Sequence, residues 1–239
     1  GNPRDLSDYR RIGKMGVHTL MIDSTNADEP GRSLSEKIVE KNLEDLFIKA
    51  EGRIIITLFS TLLTRIDEVL KIADRIGRKV AITGRSMKEN IELAQNLGYI
   101  KPAKGLIIPV EEISKYKDNK IMVFTTGSQG QTNSGLMKIL TGENRHIKVK
   151  SGDMVIFSSS AVPGNERSIQ NIKDGLCRQG ADVHTSGLID IHASGHAPAE
   201  DLKTVIKIIE PQFLLPVHGH YFKRAANAKI GAELGMSKD

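Results

Sequence analysis

Four of the seven histidines lie between positions 192 and 220, in two short segments that contain glycine. His192 and His196 occur in HASGHA, and His218 and His220 occur in PVHGH. Metal ligands and proton-transfer groups must project from short rigid segments into one cavity, and a histidine beside glycine at a strand end can do so. Each segment follows a strand-like run, and a helix-like stretch separates them. We therefore expect the two segments to share a site, although a lone histidine is usually a surface residue or a satisfied core residue.

One carboxylate is singled out by its position. Asp23 follows VHTLMI, an apolar run typical of a buried strand. Two interpretations remain open with equal weight: Asp23 is an acid of the site, or it caps the turn that follows the strand. His18, His146 and His184 have no comparable context, and we treat them as structural.

Short apolar runs alternate with amphipathic stretches along the whole chain. Three of the amphipathic stretches are predicted helices that begin at Ser33, Leu62 and Ser86, the first and third with a Glu in the capping-box position. The strand-like runs, each of at most about eight residues, are VHTLMI, GRIIITLF, RKVAIT, KIMVFTT, GDMVIFSS and QFLLPV. Strands buried on both faces read as continuous apolar runs, as these do. The repeated βα order therefore predicts an α/β fold with a mostly parallel sheet and helices on both sides.

Small polar residues follow three of the predicted strands. In open α/β sheets, ligands bind beyond the carboxyl ends of the strands, where backbone N–H groups and helix N-termini favour anions. Any one of these loops could be only a tight turn, but three together favour a track for phosphates. None has the spacing or the lysine of a P-loop, so a mononucleotide enzyme is not supported. The candidate phosphate-binding residues are Gly84, Arg85 and Ser86, then Gly127, Ser128, Gln129 and Gly130, then Ser159, Ser160 and Asn165.

Composition limits the class of protein. The net charge of +5 and a pI near 9.2 suit a polyanionic partner without proving one. No apolar run approaches the roughly 18 residues of a membrane helix, and the polar start carries no secretory signal, so we predict no membrane partner and a cytoplasmic location. The single cysteine, Cys177, excludes a disulfide framework. Because the chain opens on Gly-Asn-Pro without an initiator Met, we expect it to be a piece of a longer protein.

Six segments together resemble the ribonuclease J family of β-CASP metallo-β-lactamase proteins, in that family's order. They are DSTNA at 23–27, GRKVAITGRSM at 77–87, TGSQG at 126–130, SSSAVPGNE at 158–166, HASGHA at 192–197 and PVHG at 216–219. The resemblance implies a β-CASP domain, a mostly parallel sheet flanked by helices, inserted in a partial metallo-β-lactamase αββα fold. It places metallo-β-lactamase core segments at 1–32 and 183–239 and the β-CASP domain at 33–182.

The same resemblance assigns roles to individual residues. Asp23 matches the acid of β-CASP motif A, His196 the histidine of motif B, and His218 the zinc ligand of motif C. Ser194 and Gly195 would help to hold the scissile phosphate, and His192 would be a further RNA- or phosphate-binding residue. The family binds two zinc ions, mainly through an HxHxDH motif, and this chain contains no HxHxDH. The metal site is therefore expected to be incomplete in this chain, which we predict to be inactive alone.

The activity implied for the full-length protein is hydrolysis of single-stranded RNA by a zinc-dependent ribonuclease in RNA processing and decay. With 4% aromatic residues and no Trp, we expect RNA to be held through its phosphates rather than by extensive base stacking. Two departures, Gln131 and His220 where the family usually has Glu, leave any carboxylate role there in doubt. A non-catalytic RNA-binding or scaffold protein and a β-CASP DNA nuclease remain alternatives. Exonuclease or endonuclease mode and assembly as a homo-oligomer stay open.

Overall fold

The computed structural model describes residues 5–159, 161–162, 164–186 and 191–237. The chain divides into two compact units, one formed by Gly1–Glu36 with Ala193–Asp239 and the other by Lys37–His192. The domain boundaries predicted after residues 32 and 182 separate family domains rather than compact units, and they stay predictions.

The helices and strands alternate along the chain as the apolar pattern predicts. Two short 3-10 turns, Val110–Lys115 and Asp118–Lys120, precede the fifth strand. In chain order the elements within the described residues are α1 (Ser7–Lys14), β1 (Thr19–Asp23), α2 (Glu36–Lys49), β2 (Ile54–Thr57), α3 (Leu63–Arg75), β3 (Lys79–Ile82), α4 (Arg85–Asn96), β4 (Ile107–Ile108), β5 (Ile121–Thr125), α5 (Gly135–Leu140), β6 (Met154–Phe157), α6 (Glu166–Arg178), β7 (Asp182–Thr185), α7 (Ala199–Ile209), β8 (Phe213–Val217) and α8 (Tyr221–Glu233).

The larger unit is built on a parallel sheet. Within the described part of the chain this sheet has six strands in the order β4-β3-β5-β2-β6-β7, and every neighbouring pair is parallel. All residues of β2, β5 and β6 are buried, as expected for strands covered on both faces. The predicted α/β fold with a parallel sheet flanked by helices is confirmed.

Two predicted helix starts were wrong by one to three residues. Helix α2 begins at Glu36 rather than after Ser33. The backbone N–H of Ser33, which Glu36 would accept in a capping box, donates instead to Asp201 Oδ2 at 2.9 Å. Helix α4 begins at Arg85 after an N-cap at Gly84, whose φ of 93° lies in the left-handed region. Ser86 is consequently inside the first turn and is not the cap.

The smaller unit is built on the parallel pair β1–β8. Their register sets Asp23 opposite Val217, so the DSTNA and PVHGH segments leave the sheet side by side. One face of the pair packs on α7 and α8 through an apolar cluster, whereas Met21 and Leu215 on the other face are exposed. Helix α1 lies against α7 so closely that a Cβ on Gly13 would be 2.5 Å from the carbonyl oxygen of Ile208.

No helix within the described residues is both long enough and apolar enough to cross a bilayer.

A buried ion pair fastens one end of the larger sheet. Arg53 Nε donates to Asp153 Oδ1 at 2.8 Å and Arg53 Nη2 donates to Asp153 Oδ2 at 2.6 Å. The same guanidinium donates to the carbonyl of Lys148 at 2.7 Å, and Asp153 also accepts the backbone N–H of Lys150 at 2.9 Å. Both side chains are at most 6% exposed. Removing one partner of such a buried, bidentate ion pair destabilises the fold strongly, because the other charge stays buried without a partner.

We expect Asp153→Ala to lower the free energy of unfolding of the larger unit by about 3–5 kcal/mol, because Arg53 would remain buried without its carboxylate. Urea unfolding followed by circular dichroism measures the loss. The matched control is Asp118→Ala, which removes an ion pair of 2.6 Å to Lys150 in which both side chains are about half exposed. That change should stay below about 1 kcal/mol. Equal losses in the two variants would contradict the assignment.

Candidate active site

The smaller unit brings the predicted acid and the second histidine of HASGHA into direct contact. His196 Nδ1 lies 2.5 Å from Asp23 Oδ2, with about two fifths of each side chain exposed to solvent. Asp23 stands at the end of β1, and His196 lies in the loop before α7. With Nδ1 held by the carboxylate, Nε2 is the ring nitrogen that remains to exchange a proton with a substrate. Asp23 contacts His196 and also accepts from the turn that follows, as a turn cap does. Its role as an acid of the site stays a prediction.

Thr25 is the residue of that turn. Its hydroxyl donates to Asp23 Oδ1 at 2.7 Å, and its backbone N–H donates to the same oxygen at 3.0 Å. Burial by itself raises the pKa of the Asp23 carboxyl, but the hydrogen bonds from Thr25 and His196 outweigh it and hold that pKa below its usual range. Asp23 is therefore ionised at neutral pH, and its carboxylate holds the Nδ1 side of the His196 ring.

His218 completes the cluster from the end of β8. Its Nδ1 lies 3.0 Å from the Thr25 hydroxyl and 3.8 Å from Asp23 Oδ1, and its ring centroid is 5.8 Å from that of His196. Both His218 and Gly219 have positive φ angles, of 59° and 78°. A histidine in the left-handed region is uncommon, and such strain is typical of functional positions.

Asn26 holds the HASGHA segment beside DSTNA. Its Nδ2 donates to Ser194 Oγ at 3.0 Å and to the carbonyl of His196 at 3.2 Å, and a parallel bridge pairs Asn26 with Pro198. Ser194 Oγ also accepts the backbone N–H of His196 at 3.1 Å. Ser194, predicted to hold phosphate, thus has a loop-shaping contact in the described structure, whereas Gly195 is exposed in the same loop.

Asn227 was not predicted from the sequence, and it holds the backbone at Asp23 by hydrogen bonds from α8. This side chain on α8 is fully buried, and its Nδ2 donates to Ser24 Oγ at 3.0 Å and to the carbonyl of Asp23 at 3.3 Å. Nothing in the helical pattern distinguishes it, since an asparagine in an amphipathic helix is usually at the surface. Asn26 could have been found, because it lies inside the DSTNA motif.

The described residues do not by themselves fit a zinc site. In the parts of the chain that the structure describes, no group of three or more His, Cys, Asp or Glu side chains is arranged to hold a metal ion. Asp23 is engaged by Thr25 and His196, and His218 Nδ1 accepts the backbone N–H of Gly219 at 3.0 Å. His218 Nε2 is then the nitrogen left for a metal, whereas catalytic zinc takes three protein ligands.

The three polar loops lie at one edge of the larger sheet, because β3, β5 and β6 are parallel. Gln129 joins the second loop to the third: its Oε1 accepts the backbone N–H of Val162 at 2.8 Å and Asn165 Nδ2 at 3.4 Å, and its Nε2 donates to Ser159 Oγ at 3.4 Å. The first and second loops also touch, since a Cβ on Gly84 would lie 2.8 Å from the Thr126 hydroxyl.

Only part of this predicted phosphate track faces solvent. Arg85 and Ser86 are exposed at the start of α4, with Arg85 paired to Glu89 at 3.3 Å. The residues that are buried instead are Gly127, Ser128, Gln129, Gly130 and Ser159. Ser160 lies outside the described residues. Polar side chains of the second loop thus form hydrogen bonds inside the protein. Sequence composition does not distinguish such residues from residues that bind a ligand.

Arg65 holds the backbone of Ile191, the residue just before His192. His192 belongs to the larger unit and is half-buried. The guanidinium is 1% exposed, and its Nη1 donates to Ser158 Oγ and to the carbonyl of Ile191, both at 3.2 Å. Ser158 Oγ donates to the same carbonyl at 2.8 Å. The end of β6 therefore anchors the backbone just before HASGHA. Arg65 gives no sequence signal, because arginines in amphipathic helices usually face solvent.

Comparison with known proteins supports the resemblance read from the six segments. Residues 51–176 match the family described as "Ribonuclease J, beta-CASP domain", and residues 180–237 match "Zn-dependent metallo-hydrolase RNA specificity domain". The chain is 38% identical over 234 residues to Ribonuclease J of Helicobacter pylori (strain ATCC 700392 / 26695), which covers 98% of this chain and 34% of that protein. It is 36% identical over 239 residues to Ribonuclease J of Mycobacterium tuberculosis (strain CDC 1551 / Oshkosh), covering 100% and 43%. It is 37% identical over 235 residues to Ribonuclease J of Synechocystis sp., and that match covers 98% of this chain and 37% of that protein.

The chain therefore spans less than half the length of these curated relatives.

We expect Thr25→Val to raise the pKa of Asp23 toward its ordinary value, because the variant keeps the shape of the side chain and loses the hydroxyl donor. Carboxyl ¹³C NMR across a pH titration measures it. Since the folded-state pKa is lowered, ionised Asp23 adds stability that is present above the unfolded-state pKa and lost as pH falls through the folded-state pKa. The variant should lose less stability over that acidic window.

The control for this experiment is Thr19→Val at the start of β1, where the hydroxyl contacts the His18 ring instead. An unchanged Asp23 pKa in Thr25→Val, or an equal rise in both variants, would contradict the proposed role of Thr25.

Proposed function

This chain belongs to the ribonuclease J β-CASP family, and we propose that it forms the RNA-binding and acid–base part of a zinc-dependent ribonuclease. The observation that carries the proposal is the 2.5 Å contact between Asp23 and His196. It pairs a carboxylate whose pKa is lowered with an imidazole ring, the arrangement of a general acid held in one orientation.

The proposed reaction is hydrolysis of an RNA phosphodiester. Water adds to phosphorus, the bond to the departing 3′ oxygen breaks, and His196 Nε2 delivers the proton that this oxygen needs. Asp23 stabilises the protonated ring before transfer and keeps its orientation during the step. Ser194 and Asn26 shape the loop that carries His196, so they act by positioning it.

Activation of the water is assigned to groups outside this chain. Zinc ions bound to the full-length protein would supply it, with His218 as one ligand. Because the described residues do not fit a zinc site alone, we propose that the 239 residues bind RNA but do not cleave it. A non-catalytic scaffold would share this property, so cleavage by the full-length protein separates the two functions.

RNA is the proposed substrate, and the match of residues 180–237 to an RNA specificity domain supports RNA over DNA. Contact with the strand is assigned to phosphates. The chain carries a net charge of +5, and the exposed Arg85 and Ser86 lie at the N-terminus of a 12-residue helix, where backbone N–H groups favour anions.

The first test is the salt dependence of RNA binding by the 239-residue chain. If phosphates dominate, log Kd for single-stranded RNA should change linearly with log salt concentration, with a slope of about 0.7 per neutralised phosphate. Fluorescence anisotropy with a labelled oligonucleotide measures it. Affinity that does not respond to salt, or strict sequence preference, would argue against binding through phosphates.

The second test is His196→Ala in a protein of the relatives' full length. The cleavage rate should fall about 10²- to 10⁴-fold, as is typical of a lost acid–base group, while the zinc content stays unchanged. The control His184→Ala removes a histidine that bonds to Asp182 and should cleave normally. Loss of zinc from His196→Ala would identify His196 as a ligand instead, and robust cleavage by the 239-residue chain alone would overturn the division of roles.

A further inference from the structure

Two exposed aromatic rings lie parallel to each other where α8 begins. The rings of His220 and Phe222 are inclined by only 10°, with centroids 6.1 Å apart. His220 is exposed, and Phe222 is 57% exposed. An exposed phenylalanine lacks the stabilisation that burying its ring would give. A flat ligand that stacks on the ring can supply that burial.

The surrounding contacts fix this pair in place. The left-handed His218 and Gly219 reverse the chain after β8, and His220 is the N-cap of α8. Lys223 Nζ lies 5.5 Å from the Phe222 ring centroid and is bonded to Asp28 at 2.8 Å. The ring pair is therefore attached to a helix end that is tied to the loop after DSTNA.

The pair lies close in the chain to the proposed reaction centre. Phe222 is four residues beyond His218, a span of at most about 14 Å even in an extended chain. His218 in turn lies 5.8 Å, between ring centroids, from His196. The same RNA strand, bound with a phosphate at His196, can therefore extend to these rings.

A positive charge next to the ring pair favours a polyanionic ligand over an apolar protein surface as its partner. Arg224, four residues after His220 and so on the same side of the first turn, is exposed and makes no ion pair with any residue that the structure describes. A flat aromatic surface beside a free guanidinium matches a nucleotide, whose base stacks while its phosphate meets the cation.

We propose that His220 and Phe222 form a stacking platform for one nucleobase of the RNA strand, adjacent to the scissile phosphate. The proposal rests on the proposed RNA-binding function. It adds a base contact at one position to a strand otherwise held by its phosphates, and it gives a role to His220, where the family usually has Glu.

The test uses the 239-residue chain and three variants, Phe222→Ala, Phe222→Leu and Phe222→Tyr. Each is titrated by fluorescence anisotropy against a short labelled oligo(A) and against the same backbone with abasic riboses. Phe222→Ala and Phe222→Leu should raise the Kd for oligo(A) by about 5- to 100-fold, as for loss of one stacked base. Phe222→Tyr should bind as the parent does, and all four proteins should bind the abasic strand equally. Circular dichroism checks that the variants fold.

The matched control is Tyr99→Ala, which removes an aromatic ring that is 73% exposed in the larger unit and should leave both affinities unchanged. Oligo(A) affinity that does not change in Phe222→Ala would overturn the platform and favour a protein contact for this surface. An equal loss on the abasic strand would overturn stacking. Absence of any salt-dependent RNA binding by the parent chain would instead contradict the proposed function itself, and the platform with it.

Discussion

The candidate site depends on one backbone register, the parallel pairing of β1 with β8. That register sets Asp23 opposite Val217 and so places the residues after both strands side by side. Everything in the cluster follows from it: Thr25 reaches Asp23 and His218 together, and Asn26 reaches back to the loop of His196. A shift by one residue would turn Asp23 to the opposite face of the pair, because side chains alternate along a strand. Asn227 stabilises this register from α8 by donating to the Asp23 carbonyl.

The apolar pattern was sufficient for the large features. Continuous runs such as IIIT and IMVFT are buried on both faces in parallel strands, as their composition predicts. Element ends were less predictable, because local hydrogen bonds compete for the same groups: Asp201 takes the N–H of Ser33, and the helix starts later. The two-residue strand β4 carries too little pattern to be recognised.

The residues of the site were predictable where they lie in short sequence motifs. The contact between Asp23 and His196 was predicted from the family resemblance of DSTNA and HASGHA. That Asp23 also accepts from the following turn could not be decided from the sequence. Arg65 and Asn227 could not be found at all, because a buried polar side chain in a helix has the same sequence context as an exposed one. The opposite error affects Gln129, whose polar loop suggested a ligand while its amide is taken up by neighbouring loops.

The β1–β8 register also has a consequence for how the chain acquires its structure during synthesis. Its two strands come from opposite ends of the chain, with the whole of Lys37–His192 between them. Contacts so distant in sequence carry a large loop-closure entropy and form slowly, whereas the sheet of the larger unit can form earlier from nearer neighbours. A ribosome must release Val217 before the strand ending in Asp23 has its partner. The nascent chain therefore emerges with its larger sheet able to fold while Asp23 still lacks its neighbours, and the cluster around Asp23 is assembled after that sheet.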